Sequence, residues 1–425
     1  MPTHYPSPVA SWVLPLALAL AASAAAPRRA PGQVRPGIEV LLTDSSHLIV
    51  GKRVGLLTNQ AGVDRAGRRD VDLLRAQGVH LVALFSPEHG FQGAADRRIV
   101  SSDVDRATGL PIYSLYGDSE APGREALDGL DLVLVDLQDI GARYYTYVGT
   151  AVLLLQHAAR RDLGVLILDR PDPLGGEVVQ GNVRAHPAPP TGLIGFLPVA
   201  MRPGMTLGEL LLLANDALHI GARVTVIPAA GWRRDMYFDA TGLPWVRPSP
   251  AIPELESALH YPGTCLFEGT NLSVGRGTPS PFQVIGAPWL DPTALIRRLR
   301  ATEGKGEARG AERDALAGVA LSADTATPEA PGDGKYDGRR LNVIRLRVTD
   351  RRRYDPPRAA VAVLVALRAL YPDSLVFADA RFDQLAAGPE LRRAVLAGAS
   401  ASAIAESWRP ALARFRRARL KYLLY

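Results

Sequence analysis

The stretch Leu84-Phe-Ser-Pro-Glu-His-Gly-Phe-Gln-Gly93 decides the fold. It overlaps a largely apolar run, 79–85, that predicts a buried strand, and Ser86-Pro87 ends this strand because proline cannot continue a central ladder. Glu88 and His89 therefore follow the carboxyl end of the strand. Ligands bind at that edge of an open α/β sheet, so this carboxylate and imidazole are candidates for acid–base chemistry. The other interpretation is an ordinary polar surface loop.

Three further apolar runs in the first half of the chain predict strands, at 53–58, 131–137 and 164–168. They alternate with helical spacing at 70–77 and 151–161, and this rhythm predicts an α/β fold with a doubly wound parallel sheet. Polar residues follow each strand directly, so they should converge along one edge of the sheet. In chain order they are Asn59-Gln60, Glu88-His89, Gln138-Asp139 and Asp169-Arg170.

The length of 425 residues and the hydrophobic share of 47% predict a large core. Single cores stop growing near roughly 250–300 residues, so two domains are expected. The loop 231–253 is rich in Trp, Pro and Gly, and we place the boundary there. The predicted domains are 27–250, with the sheet, and a smaller α+β domain, 251–425.

Within these domains the patterns predict several more elements. A helix at 205–218 should have Thr206 as its N-cap and Glu209 at the capping-box position. The segment 303–334 is rich in Ala, Gly and charged residues and is expected to be a flexible surface insertion. Further strands are predicted at 223–227, 262–267 and 341–349, and further helices at 359–371, 391–397 and 402–422, the last interrupted at Pro410.

The formal charge of +6 comes mainly from scattered arginines. A basic surface can favour anionic partners, but no basic motif interleaved with aromatic residues appears, so nucleic acid is not an expected partner. The single cysteine, Cys265, excludes an internal disulfide and a cysteine-based metal site. The histidines lack zinc-site spacing, and the phosphate-loop, dinucleotide and nucleophile-elbow patterns are absent. No metal and no cofactor are therefore expected.

The segment 12–26 is apolar and ends in Ala-Ser-Ala-Ala-Ala. This pattern predicts a secretory signal peptide over 1–26 and a periplasmic or secreted mature chain. The run is short for a membrane span, which needs about 20 residues, and no other stretch is suitable. A cytoplasmic chain with an apolar tail is the alternative.

Carboxylates and neutral hydrogen-bonding groups dominate the predicted sheet edge. Two carboxyl groups facing each other across a cleft can cut a glycosidic bond, one as the acid and the other as the base or nucleophile. The carboxylates that follow predicted strands are Glu88, Asp139, Asp169 and Glu268. Tyr144, Tyr145 and Phe282 are candidates for stacking on a sugar, and Asn59, Gln138 and Asn271 for reading its hydroxyl or acetamido groups.

Several of these residues have an equally good structural interpretation. Arg143 and Arg276 either bind a substrate carboxylate bidentately or pair with the carboxylates of the chain itself. Asp169-Arg170 is either part of the site or an ion pair at a strand end. Tyr144-Tyr145 is either a sugar platform or core packing.

Several long motifs, in order, resemble the exo-β-N-acetylmuramidase family, which was long catalogued as a domain of unknown function. The resemblance covers essentially everything after the signal segment. The motifs are Gly51-Lys-Arg-Val-Gly-Leu-Leu-Thr-Asn-Gln60, Phe85-Ser-Pro-Glu-His-Gly90, Asp136-Leu-Gln-Asp-Ile-Gly-Ala-Arg-Tyr-Tyr-Thr146, Leu168-Asp-Arg-Pro-Asp-Pro-Leu-Gly-Gly176, Phe267-Glu-Gly-Thr-Asn-Leu-Ser-Val-Gly-Arg-Gly-Thr278 and Arg381-Phe-Asp-Gln-Leu385.

The resemblance implies a Rossmann-like N-terminal domain and an active cleft between the two domains. It also implies release of terminal N-acetylmuramic acid from the non-reducing ends of peptidoglycan fragments. Glu88 matches the family's proposed catalytic glutamate. Its partner is Glu268 from the second domain, Asp139 from a neighbouring strand, or the acetamido oxygen of the substrate. Asp172 stands where family members often have Asn, a departure that does not involve Glu88.

The sequence therefore predicts a glycoside hydrolase acting on muramyl saccharides. The alternative is a non-catalytic protein that binds muropeptides, and an amidase or esterase is a third candidate that lacks its nucleophile or metal motif. The predicted substrate-binding residues are Asn59, Gln60, His89, Gln138, Arg143, Tyr145, Asp169, Asn271 and Arg276.

Overall fold

The computed structural model describes residues 1–4, 33–94, 102–117, 122–187, 192–301 and 314–425. The described residues of 33–425 belong to one compact unit. The predicted signal peptide lies almost wholly outside the described residues. None of the helices in the described ranges is both long enough and apolar enough to cross a bilayer.

The first part of the chain is built on a seven-stranded sheet. The strands of this part are β1 Arg53–Thr58, β2 His80–Ser86, β3 Asp103–Val104, β4 Pro111–Ser114, β5 Leu132–Asp136, β6 Gly164–Leu168, β7 Gln180–Val183, β8 Ala200–Arg202 and β9 Arg223–Ile227. The sheet has the order β3-β4-β2-β1-β5-β6-β9, and β7 pairs with β8 apart from it. Every neighbouring pair of the large sheet is parallel except β3 with β4, which confirms the predicted architecture.

Helices cover both faces of this sheet. They are α1 Gly37–Asp44, α2 Asp70–Ala76, α3 Arg124–Leu127, α4 Thr146–Ala159 and α5 Leu207–Ala217. Successive strand residues point to opposite faces. Leu56 accordingly packs in the cluster that holds α1 and α2, whereas Leu57 packs in the cluster that holds α4 and α5. Both are fully buried, which explains why these strands are continuous apolar runs.

The ends of two helices bear on the sequence predictions. The capping box of α5 is present, because Thr206 Oγ1 accepts from the backbone N–H of Glu209 and the Glu209 carboxylate accepts from Thr206 N–H. Helix α4 begins at Thr146, five residues before the predicted start. This earlier start brings its first residue to the carboxyl edge of the sheet.

The second part of the chain has its own sheet. Its strands are β10 Val284–Ala287, β11 Val319–Ala326 and β12 Leu341–Val348, antiparallel in the order β10-β12-β11. Its helices are α6 Leu255–Thr264, α7 Pro292–Ala301, α8 Pro356–Leu370, α9 Asp379–Ala386, α10 Glu390–Leu396 and α11 Ala401–Arg419. This combination of helices with an antiparallel sheet confirms the predicted α+β class of the second part. One hydrophobic cluster joins the parts, running from Phe85 on β2 to Val361 on α8.

Two predictions for the second part are wrong. The expected strand 262–267 is the end of α6 followed by a 3₁₀ helix, Cys265–Gly269, because a short apolar run does not distinguish a buried strand from a buried helix. Helix α11 runs through Pro410 without a break. Trp408 and Phe415 are buried on either side of the exposed proline and anchor the helix across it.

The expected flexible insertion, 303–334, is wrong for 319–326, which form strand β11. Residues 302–313 lie outside the described ranges, but β11 pairs with β12 along all eight of its residues. Its residues are mostly half-buried or exposed, so its sequence does not stand out as a strand. The edge position of β11 explains that polarity.

Candidate active site

Glu88 lies in the turn that follows β2. The strand ends at Ser86, and Gly90 N–H closes the turn on the Pro87 carbonyl at 3.0 Å. His89 has a φ of 70°, a left-handed conformation that is uncommon for a residue with a side chain. The Glu88 side chain is half-buried, and its Oε2 accepts a 2.6 Å hydrogen bond from Thr146 Oγ1 at the start of α4. Glu88 makes no ion pair with any residue of the described segments.

A cavity of about 340 Å³ lies in front of Glu88. This volume is within the range of about 300–1,000 Å³ typical of small-molecule sites. Both parts of the chain line it, and it brings Glu88 and Glu268 into one space. Its other described lining residues are His89, Tyr116, Tyr144, Tyr145, Thr146, Gly192, Leu193, Ile194, Ser249, Ala251, Ile252, Tyr261, Arg276, Phe282, Arg381 and Gln384.

Glu268 is held between two arginines. Its Oε1 lies 2.8 Å from Arg276 Nε and 2.7 Å from Arg276 Nη2, and its Oε2 lies 3.2 Å from Arg381 Nη2. Burial alone would raise the pKa of Glu268, but the charges of Arg276 and Arg381 outweigh it and keep this pKa below its usual value. Glu268 is therefore an ionised group at neutral pH.

Two features fix the backbone around Glu268. Lys335 Nζ donates to the carbonyls of Glu268, Thr270 and Leu272 at 3.0, 2.7 and 3.1 Å. Gly269 lies directly against α9, where a Cβ would come within 2.5 Å of Phe382 Cα. This close approach brings Arg381, the neighbour of Phe382, within reach of the Glu268 carboxylate.

Aromatic rings form another side of the cavity. Tyr261 is the central ring, with centroid distances of 4.6 Å to Phe282, 6.1 Å to Tyr144 and 6.2 Å to Tyr145. The Arg276 guanidinium lies 5.3 Å from the centroid of Phe282. The rings thus serve both interpretations made from the sequence, since they are packed together and they line the cavity.

Asp139 and Gln138 are not among the described residues that line the cavity, and their predicted roles remain predictions. Both are buried. Asp139 Oδ2 accepts from Gly141 N–H at 2.8 Å, and burial raises the pKa of Asp139 to about 7. Gln138 donates to the carbonyls of Asp139 and Pro171. Both side chains thus hold the loop after β5.

Asn59 and Gln60 also stabilise loops rather than line the cavity. Asn59 donates to Tyr147 Oη at 2.8 Å and accepts from Ala61 N–H at 3.0 Å. Gln60 donates to the Arg247 carbonyl at 2.6 Å. They support the residues that surround the cavity from behind.

Three predicted ligand-binding residues are occupied by structural contacts. Arg143 is buried and donates to three backbone carbonyls and to the Asn182 side chain. Asp169 accepts from Thr206 Oγ1 at 2.6 Å and from Tyr425 Oη at 2.8 Å. Asn271 bridges Ser374 and Val376. Arg143 is not among the described residues that line the cavity, and its carboxylate-binding role remains a prediction.

The ion pair expected of Asp169-Arg170 is also arranged differently. Arg170 Nη2 lies 3.0 Å from Asp136 Oδ2, so Arg170 neutralises the aspartate at the end of β5. Both side chains are buried, which makes their pairing a structural feature of the sheet edge.

Sequence reasoning assigned no role to Arg381, Thr146, Tyr261 or Gln384, all of which line the cavity. The signal for Arg381 was its place in one of the family-like motifs, and for Thr146 the end of another. Tyr261 directly precedes the segment 262–267, which was expected to be a strand.

A larger depression of about 680 Å³ also has His89 in its lining, together with residues such as Arg69, Gln92 and Asp103. Among the described residues, no group of three or more His, Cys, Asp or Glu side chains is arranged to hold a metal ion.

Sequence comparison decides the family. The profile for the N-terminal domain of the exo-β-N-acetylmuramidase NamZ matches residues 54–256, and the profile for the C-terminal domain matches 259–425. The chain belongs to the NamZ family. The domain boundary we predicted at 250 remains a prediction.

Individual NamZ-family relatives agree in sequence and in fold. The chain is 37% identical over 396 residues to the peptidoglycan β-N-acetylmuramidase NamZ of Bacillus subtilis (strain 168), covering 92% of each chain. Two crystal structures of DUF1343 family proteins from Bacteroides fragilis are similar, with TM-scores of 0.82 and 0.73. Their identities to the chain are 30% and 29%. They cover 92% and 93% of it, and 99% of their own chains are matched.

The cavity of this NamZ-family member holds two carboxyl groups in different settings. Glu88 contacts a hydroxyl, whereas Glu268 faces two guanidinium groups. The two carboxyl groups therefore have different chemical surroundings within one cavity.

Proposed function

We propose that the protein is an exo-β-N-acetylmuramidase that hydrolyses the glycosidic bond of a terminal N-acetylmuramic acid at the non-reducing end of peptidoglycan fragments. The observation that carries this proposal is the shared cavity of Glu88 and the Glu268–Arg276–Arg381 cluster, in a chain of the NamZ family.

Glu88 is the general acid of this proposal. A glycosidase must protonate the leaving oxygen, and a carboxyl group at the cavity wall can do so if its direction is fixed. The turn after β2 fixes the backbone of Glu88, and Thr146 fixes its side chain. As the bond to the leaving oxygen breaks, water or the acetamido oxygen of the substrate attacks the anomeric carbon, and the proton of the water that is consumed returns to the Glu88 carboxylate.

The surroundings of the cavity suit a sugar that carries a negative charge. Tyr261 and Phe282 make one side of the cavity aromatic, and Arg276 and Arg381 attract an anion. Residues of both parts of the protein line the cavity. A cavity enclosed in this way favours the end of a glycan strand over its middle.

The test is release of free N-acetylmuramic acid from the disaccharide in which this sugar is at the non-reducing end. The reversed disaccharide, with N-acetylglucosamine at that end, should not be cleaved. Glu88→Gln should lower kcat by about 10²- to 10⁴-fold, the usual contribution of general acid catalysis. Glu406→Gln, on the exposed face of α11, is the matched control and should keep wild-type kcat.

Two results would contradict the proposal. Saturable binding of the disaccharide by the wild type with no product would mean a binding protein. Near-wild-type turnover by Glu88→Gln would remove Glu88 as the acid.

We further propose that the chain is exported, on the basis of the apolar segment 12–26 and the small residues that end it. N-terminal sequencing of the protein recovered from the cell envelope or the medium should find a start near Pro27. A chain found only in the cytoplasm and still beginning at Met1 would contradict export.

A further inference from the structure

Arg276, Arg381 and Glu268 form a charged cluster in the wall of the cavity. Arg276 and Arg381 share one carboxylate, Glu268, whose side chain is 9% exposed. The Lys335 ammonium lies behind the same loop on its backbone carbonyls. The guanidinium groups of this cluster attract anions that enter the cavity.

Arg381 is the member of the cluster best placed to meet that anion. Its side chain is 46% exposed, compared with 18% for Arg276. A guanidinium has five N–H donors. Among the described residues, Gln384 Oε1 and Glu268 Oε2 each accept one hydrogen bond from Arg381, at 3.2 Å. Donor capacity therefore remains on an arginine that lines the cavity.

Glu268 has the opposite character. Its Oε1 is bound by Arg276 and its Oε2 by Arg381, and it is the most buried of the three side chains. A carboxylate with both oxygens in ion pairs is a weak nucleophile and a weak base. Its contacts are those of a group that orients the two guanidiniums.

We propose that Arg381 and Arg276 bind the lactyl carboxylate of the muramyl substrate, and that Glu268 is a positioning residue for this pair and not the second catalytic carboxylate. The inference rests on the proposed function. The lactyl ether is the group by which N-acetylmuramic acid differs from N-acetylglucosamine, and arginine recognises a carboxylate in bidentate geometry. Arg381 thus sets the selectivity of the cavity for muramyl over glucosaminyl ends.

The experiment compares two substrates that differ only at the lactyl carboxyl group. They are 4-nitrophenyl N-acetyl-β-muramide and its lactyl methyl ester, and the readout is the ratio of their kcat/KM values. The wild type should prefer the free carboxylate. Arg381→Met should lower this ratio on the order of 10- to 100-fold, the range for a charge-assisted hydrogen bond, mainly through KM for the charged substrate. Arg381→Lys keeps the positive charge but loses the bidentate geometry of the guanidinium. Its ratio should lie between those of the wild type and Arg381→Met.

Controls separate this role from a structural one. Arg393→Met, at an exposed position on α10, should keep the wild-type ratio. Glu268→Gln keeps the shape of the side chain and part of its hydrogen bonding, so it should lower the ratio and raise KM for the charged substrate. Thermal unfolding of each variant shows whether the fold is retained.

The possible failures are distinguishable. No turnover of either substrate by the wild type overturns the proposed function. Turnover by the wild type with an equal loss on both substrates in Arg381→Met overturns the carboxylate-binding role. A drop in kcat of about 10³-fold or more on both substrates in a folded Glu268→Gln would make Glu268 a catalytic carboxylate and overturn its positioning role.

Discussion

The Thr146 hydroxyl donates a 2.6 Å hydrogen bond to Oε2 of Glu88 and thereby joins the start of α4 to the turn after β2. The two residues are 58 positions apart in sequence. The strand sets where the Glu88 backbone lies, and the helix sets where its carboxyl group points. Such control matters because a misplacement of about 1 Å can cost about 10²-fold in rate.

We expect Thr146→Val to lower kcat for muramyl release about 10- to 100-fold, because a hydrogen bond to a charged group contributes about 1.5–3 kcal/mol. KM should change little, since the hydroxyl acts on the acid and not on the bound sugar. Thr146→Ser keeps the donor and should retain most of the rate. Thr293→Val, at an exposed position of α7, is the control. Equal kcat values for Thr146→Val and the wild type would show that Glu88 does not depend on this bond.

Lys335 reaches the loop of Glu268 from the segment between β11 and β12. Its ammonium donates to three carbonyls of that loop within 3.1 Å. Lys335→Met keeps the stem and removes these bonds, and each buried carbonyl left without a partner costs roughly 1–3 kcal/mol. We therefore expect a lower midpoint of urea unfolding and a higher KM for the muramyl substrate.

Lys421→Met is the matched control for Lys335, since Lys421 is exposed and pairs only at the surface with Asp216. Its unfolding midpoint should stay close to that of the wild type, because surface ion pairs contribute about 0–1 kcal/mol. If both lysine variants unfold at the wild-type midpoint, the bonds of Lys335 do not stabilise the loop.

Local patterns predicted the sheet well. The predicted bounds 53–58, 164–168 and 223–227 agree with β1, β6 and β9 residue for residue. These strands are short, continuous and bounded by turn residues, so their signal is contained within a few positions. The capping box at Thr206 and Glu209 is equally local, because its two hydrogen bonds span three residues.

The parts that sequence reasoning missed depend on distant contacts. Arg381 acquires its place only through Glu268, 113 residues earlier in the chain. Arg143 is of a residue type that often binds ligands. Its guanidinium nevertheless donates to backbone carbonyls of the chain itself, from segments as far away as Leu385. Glu88 was identified because its position follows from one strand alone, whereas the function of an arginine depends on which acceptors the fold brings to it.

Gly269 permits the contact between the Glu268 loop and α9. A Cβ at this position would lie 2.5 Å from Phe382 Cα, so Gly269→Ala must push the helix away or distort the 3₁₀ helix. Overpacking of this kind typically costs about 1–3 kcal/mol. We expect a lower unfolding midpoint and, since Arg381 moves with α9, weaker preference for the charged substrate.

Gly123→Ala is the control for Gly269, because no described atom lies within 4 Å of a Cβ there. It should keep both the unfolding midpoint and the substrate preference of the wild type. A wild-type preference in Gly269→Ala would mean that the spacing between this loop and α9 does not position Arg381.

Two buried aspartates, Asp139 and Asp172, make the stability of the protein depend on pH. Burial, with a smaller contribution from like charge, raises the pKa of Asp172 to about 8 and that of Asp139 to about 7, from an ordinary value of 3.8. Such a group keeps its proton in the folded state after the unfolded chain has lost it. Its contribution to stability is therefore full below about pH 4 and falls as the pH rises towards the folded pKa values.

We expect Asp172→Asn to flatten this decline and to be more stable than the wild type at pH 8.5. The expected difference in the free energy of unfolding is a few kcal/mol, because each unit of pKa shift contributes about 1.4 kcal/mol. The amide keeps an oxygen for the 2.9 Å hydrogen bond from Leu174 N–H but cannot ionise. The measurement is the free energy of unfolding in urea at pH 5, 7 and 8.5, with Asp373→Asn, at an exposed position, as the control. Parallel pH curves for Asp172→Asn and the wild type would mean that Asp172 ionises in the folded protein as readily as in the unfolded chain.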